Sequence, residues 1–197
     1  KGLDPAALLA HLAGGGAVET LPGAGRPGVS GPEAIGESGA DMLVETTPAN
    51  LETGEPGRGH VLAALEQGMD VVSANKAPMV LFYKEVHELA ARMNAGVPIS
   101  AAAAAALPTL DVGRVCLAGA TIVEAEGILN GTTNFILTRM RRDKAAYADA
   151  LAEAQRLGIA ETDPSLDVEG RDTANKMVLI GNRILGADLE IGDVSVR

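Results

Sequence analysis

Residues 160–176, AETDPSLDVEGRDTANK, set five acids (Glu161, Asp163, Asp167, Glu169 and Asp172) ahead of one lysine, Lys176. Asp163-Pro164 and Gly170 make the segment before Asp172 a structured turn rather than a helix, able to aim Glu161 and Asp167 at one space. Asp172 and Lys176 are four residues apart, so on a helix they share a face. Carboxylates gathered in this way bind an ammonium group, and they keep a neighbouring lysine protonated and ready to donate. The same spacing also describes an exposed ion pair contributing about 0.2–0.5 kcal/mol. From this segment alone both readings stand.

Three other places offer chemistry. GILNGTTNFIL (127–137) takes an expected strand into a helix through Asn130, Gly131 and Thr132. The free N–H groups of that helix start suit a phosphate or carboxylate, or Asn130 or Thr132 simply caps it. Thr46 and Thr47 follow one short valine-rich run, and Asn75 and Lys76 follow another. If those runs are parallel strands, their carboxyl ends are where an open α/β sheet binds ligands, although pattern alone reads Lys76 as a solvated loop lysine. GAGRPG (23–28) has the spacing of a dinucleotide loop, but Pro22 and Pro27 deny it a preceding strand and a following long helix. It is read as a decoy. His11, His60 and His87 have no metal-ligand spacing.

Elements must position these residues. Asp4-Pro5 signals a helix start continued by AALLAHLA and stopped at Gly14 to Gly16. A loop rich in Gly and Pro fills much of 22–32. DMLVETT (41–47) and DVVSANK (70–76) read as strands around the helix GHVLAALEQG, a βαβ unit whose two strands are both expected to be buried. After Pro78 a long amphipathic helix is expected, with Phe82, Val86, Leu89, Ala90 and Met93 on one face. GVPIS (96–100) and TIVEAEGIL (121–129) are further strand candidates. Helices are expected around 110–118 and over 134–142, 145–157 and 172–185.

Composition limits the partners. The 197 residues carry a net charge of −10, which repels nucleic acid. The basic run Arg139, Arg141, Arg142 and Lys144 reads as the exposed side of a helix. The longest apolar run, 101–107, is too short to cross a bilayer, so no membrane partner is expected. With two Phe, two Tyr and no Trp, the core must be aliphatic. Cys116 has no second cysteine with which to pair, which fits the reducing cytoplasm.

VETTPAN, ALEQGMDVVSANKAP, EGILNGTTNFIL and ALAEAQRLGIAETDPSLDVEGRDTANK together, in this order and spacing, resemble homoserine dehydrogenases over about residues 41–186. The resemblance implies NAD- or NADP-dependent interconversion of L-homoserine and L-aspartate 4-semialdehyde, on the route to threonine and methionine. It implies an α/β fold: a partial Rossmann-like dinucleotide-binding domain (1–106) followed by an α+β catalytic and dimerisation domain (107–197), in a homo-oligomer. Carried over by motif, Lys176 is the proton donor and Lys76 sits beside the reacting groups. Gly158, Glu161, Asp167, Asp172, Gly131 and Thr132 bind substrate, and Thr46, Thr47, Asn75 and Lys76 contact the cofactor.

Family members also bind a monovalent cation, Na or K, just before an LP pair. Here that segment is SAAAAAALP, with Ser100 where some members have glutamate, which leaves backbone carbonyls at Ala103, Ala105 and Leu107. Arg171 stands where an aromatic or apolar residue is expected. The family's opening strand and glycine-rich loop, and its closing segment, fall outside these residues, so a fragment is expected. The rival readings are a non-catalytic amino-acid-binding or dimerising fragment, and a related amino-acid dehydrogenase.

Overall fold

A computed structural model describes residues 2–196. Helix α1 (Pro5–Ala13) starts as the sequence dictates: Asp4 accepts from the Ala6 N–H at 2.9 Å, and proline occupies the first turn, where no donor is needed. Its leucines remain outside, Leu9 being 67% exposed. Helix α2 (Gly31–Ser38) was not expected. Ser30 and Glu33 form its capping box, a signal that the neighbouring glycines and prolines obscure.

Strand β1 (Met42–Glu45), helix α3 (Gly57–Glu66) and strand β2 (Asp70–Ser73) form the expected βαβ unit, with Met42 opposite Asp70 and Glu45 opposite Ser73 in a parallel pair. Burial of both strands is not observed. β2 is largely enclosed, but in β1 Met42 is 51% and Val44 63% exposed.

GVPIS runs beside β2 without becoming a strand. The N–H groups of Val71 and Ser73 donate to the carbonyls of Gly96 and Pro98 at 2.9 and 3.0 Å. The return bond to Val71 would have to come from the nitrogen of Pro98, which carries no hydrogen.

The expected long helix is two. Helix α4 (Lys76–Leu81) begins before Pro78, capped by Asn75, and helix α5 (Tyr83–Met93) follows a break at Phe82, whose φ of −134° is not helical. Val86 and Ala90 of the anticipated face are buried, whereas Met93 is 39% exposed. Then come α6 (Ser100–Ala104) and α7 (Thr109–Asp111), the latter running into a π turn, Val112–Cys116.

The strand expected over 121–129 does not form. Among the described residues nothing pairs with it, and Val123 is 90% exposed. A β-rich sequence without a partner has nowhere to place its backbone hydrogen bonds except water.

Helices α8 (Gly131–Asp143) and α9 (Tyr147–Arg156) pack as a pair around Ile136, Ala150 and Ala154. Arg139, in the basic run, bridges them to Glu153 at 2.7 Å, while Arg142 stays outside. The acid-rich turn holds one short helix, α10 (Ser165–Val168), and α11 (Arg171–Ile180) follows, widening into a π turn at Gly181–Leu185. One aliphatic core joins Val61, Leu65, Val71, Met79 and Val86 to Val178 and Leu179 of α11. Among the described residues no helix is long and apolar enough to cross a membrane.

Leu65 is fully buried at the centre of this core. Leu65→Ala is expected to destabilise the fold by about 2–5 kcal/mol, read as a lower urea midpoint.

Candidate active site

A cleft of about 720 Å³ opens where the carboxyl ends of β1 and β2 face α6, the start of α8 and one side of α11. Thr47, Asn75 and Lys76 line it from the sheet, and Ala101 to Ala105 with Leu107 form one wall. Asn130 and Gly131 line it from α8, and Asp172 and Lys176 from α11.

Asp172 is the centre of the polar groups. It is 8% exposed. Lys176, one helical turn on, donates to its Oδ2 at 2.6 Å, and Lys76, at the start of α4, donates to its Oδ1 at 2.6 Å. Lys176 also donates to the Leu129 carbonyl at 2.8 Å. An ammonium group has three N–H bonds, so Lys176 keeps one unused and Lys76 two.

Asn130 completes the set. Its Nδ2 donates to Asp172 at 3.0 Å and to Asp167 at 2.6 Å, while its Oδ1 accepts the N–H of Thr133 at 3.0 Å. The choice between helix cap and site residue dissolves, because an amide has an acceptor for one task and donors for the other. Thr132 is buried behind Gly131, with its hydroxyl 2.7 Å from Asp167.

Not every expected residue gathers here. The Glu161 side chain is exposed and lies off the cleft; only its carbonyl is used, by Gln155 at 3.2 Å. Just before it the backbone turns at Gly158 (φ +71°) and Ala160 is buried. Gly158 and Thr46 are exposed and also off the cleft. Arg171 lies on the other face of α11, where with Ala174 and Asn175 it borders a second cleft of about 710 Å³.

At the ends of the strands, the sequence reading missed Glu45. This carboxylate is 1% exposed, and it accepts from the N–H of Thr47 at 2.7 Å, from the Thr47 hydroxyl, from Asn75 Nδ2 at 3.4 Å and from His60 Nδ1 at 2.9 Å. Burial pushes its pKa up, but the hydrogen bonds from Thr47, His60 and Asn75 outweigh burial and hold it below the ordinary value. A charged residue ending an otherwise apolar strand was the available signal, since such a charge needs partners.

Among the described residues no cluster of three or more His, Cys, Asp or Glu is arranged to hold a metal. Ala103, in the last turn of α6, and Ala105 and Leu107, just past its end, do line the cleft wall, and Ala105 has φ +50°. The backbone N–H groups of this turn go to Ala101 and Ala104, and that of Thr109 to Leu107, which leaves the Ala103 and Ala105 carbonyls without a backbone donor among the described residues.

Burial pushes the Asp172 pKa up, but the bonds from Lys176, Lys76 and Asn130 bring it down from 3.8 to about 2. A depressed carboxylate pKa stabilises the folded state above the unfolded value, and the contribution is lost as pH falls through the folded one. Asp172→Asn is therefore expected to be most destabilised relative to wild type above pH 4. That difference should shrink by roughly 2 kcal/mol as pH falls to 2, in urea melts across pH.

The homoserine dehydrogenase family model matches residues 108–197. The homoserine dehydrogenase of Methanocaldococcus jannaschii is 43% identical over 182 residues, which are 92% of this chain and 54% of that protein. The NAD(+)-dependent homoserine dehydrogenase of Pseudomonas canavaninivorans is 39% identical over 196 residues, 100% of this chain and 55% of that protein. A crystal structure of homoserine dehydrogenase from Thermoplasma acidophilum superposes with a TM-score of 0.75 at 27% identity, covering 98% of this chain and 58% of that one. The chain spans about half the length of the curated relatives it matches. Residues 108–197 thus carry a homoserine dehydrogenase family domain, and along nearly all of its residues the chain, with its lysine–aspartate cleft, is similar to parts of homoserine dehydrogenases.

Proposed function

We propose that this chain provides the amino-acid-binding and proton-donating part of an enzyme interconverting L-homoserine and L-aspartate 4-semialdehyde. The observation that carries the reading is the bridge of Asp172 between Lys76 and Lys176 on a cleft at the carboxyl ends of two parallel strands. A nicotinamide dinucleotide, NAD or NADP, supplies or accepts the hydride when bound. Reduction of an aldehyde leaves negative charge on its oxygen, which must then gain a proton. Lys176, held by Asp172 and the Leu129 carbonyl, has one N–H left to give. Lys76 sets a second positive charge beside it, favouring the oxygen as its charge grows. Asp167 and Asp172 serve the substrate ammonium group, with Asn130 and Thr132 fixing the Asp167 carboxylate.

The finer parts of the reading follow from the same cleft. β1, α3 and β2 belong to a Rossmann-like cofactor half (1–106), and residues 107–197 form the substrate half. The small side chains from Ala101 to Ala105 leave room at the sheet ends for a planar ring. The carbonyls of Ala103, Ala105 and Leu107 would hold Na or K, whose charge would brace the turn after α6. Residues 121–129, whose Val123 and Ile128 face solvent, pair with a second copy in a homo-oligomer. The lone thiol of Cys116 suits a cytoplasmic setting.

Lys176→Ala is expected to lower the rate of nicotinamide reduction with L-homoserine by at least about a hundredfold. Cofactor affinity in a fluorescence titration should change little. Unchanged turnover in the variant would remove Lys176 from the chemistry. A wild-type chain that binds L-homoserine but neither dinucleotide would support an amino-acid-binding module instead.

A further inference from the structure

Glu45 faces away from the lysine pair, yet it holds two residues that line the cleft. Its Oε1 receives the Thr47 N–H at 2.7 Å, the Thr47 hydroxyl, and Asn75 Nδ2 at 3.4 Å; Thr47 lies beyond the end of β1 and Asn75 beyond the end of β2. Its Oε2 receives His60 Nδ1 at 2.9 Å from α3, and a carboxylate only accepts, so that ring nitrogen carries the hydrogen. Asn75 has little freedom left. Its Oδ1 caps α4 through the Ala77 N–H at 3.0 Å, and its backbone N–H bonds the Ser73 hydroxyl at 3.2 Å. A Cβ added at Gly57 would lie 2.5 Å from Asn75 Nδ2 and 2.9 Å from Pro78 Cγ, so α3 closes on this amide from the other side.

We infer that Glu45 is a positioning residue for the cofactor side of the cleft, joining the loops after β1 and β2 so that Thr47 and Asn75 present one fixed surface. This rests on the dinucleotide reading above. The arrangement costs a buried charge, which only a full set of donors offsets. Thr47 and Asn75 spend their side chains on Glu45 and on the α4 cap. What they offer a ligand is therefore a rigid edge more than free donors. His60, which does not line the cleft, steadies the carboxylate from behind.

The amide of Glu45→Gln can keep Oε1 toward Thr47 and Asn75 and turn its nitrogen to His60, whose ring then accepts through the other tautomer. That variant should retain wild-type behaviour within about threefold, whereas Glu45→Ala leaves Thr47 and His60 without their acceptor and Asn75 Nδ2 with only the Thr47 hydroxyl at 3.3 Å. Measured on the full chain, Glu45→Ala is expected to raise the dissociation constant for NAD and NADP at least about tenfold. The constant for L-homoserine should move less than about twofold, because Asp167, Asp172 and both lysines are untouched.

His60→Leu, a milder change outside the cleft, should weaken the dinucleotide alone by about threefold or more, and it serves if Glu45→Ala does not fold. Hydrogen exchange in the ligand-free protein gives a second readout: the Thr47 and Ala77 amides should lose protection in Glu45→Ala, or in His60→Leu to a lesser degree. Unchanged dinucleotide affinity together with unchanged protection, or equal losses for both ligands in a folded variant, would overturn the inference. A wild-type chain that binds neither dinucleotide overturns the functional reading instead, and the exchange pattern still decides whether Glu45 joins the two loops.

Discussion

One buried carboxylate has to satisfy two ammonium groups that lie a hundred residues apart in the chain. Asp172 meets Lys176 one helical turn away and Lys76 across ninety-six residues, each at 2.6 Å. Neither contact is worth much at an exposed site, but here the carboxylate is nearly enclosed, so losing one partner would strand a charge. The start of α4, the end of the 121–129 segment at Leu129 and the middle of α11 must therefore converge. The charge balance matters as well. Lys76 and Lys176 share Asp172, and Asp167 joins the same cluster through Asn130, so both lysines can stay charged without a net surplus.

The second constraint lies at the sheet. Parallel strands end in loops that have no ladder to hold them, so something else must fix their geometry. Here it is Glu45, enclosed by donors from the segments after β1 and β2 and from α3. Both buried carboxylates, Glu45 and Asp172, are held below their ordinary pKa by the same means, hydrogen bonds that outweigh burial.

What could be read from the residues was mostly local. Asp4-Pro5 makes a helix start anywhere, and the valine runs around GHVLAALEQG make a βαβ unit because their period and spacing leave few alternatives. Placing Lys76, Lys176, Asp172 and Asp167 near one another came from the family's motifs, since no period links residue 76 to residue 172. Errors arose where a single atom or a missing partner decides. Pro98 lacks the hydrogen that would make GVPIS a strand, and TIVEAEGIL has no neighbouring strand among the described residues. Glu161 looked equivalent to Asp167 in the sequence. In the structure it is exposed and off the cleft, a placement that no count of acids could foresee.

The core explains why Lys176 can be placed so accurately. Two and three residues after it, Val178 and Leu179 are fully buried against the same cluster that holds Val61, Leu65 and Val71. The helix that carries Lys176 is thus packed against the βαβ unit. A hinge between residues 1–106 and 107–197 would have to tear α11 from that core, at the cost of its buried aliphatic side chains. Closure over a substrate, if the cleft narrows, must come from elements outside the cluster: the alanine wall past α6, or the loop after β1. The lysine stays where the packing puts it, and the ligand has to come to it.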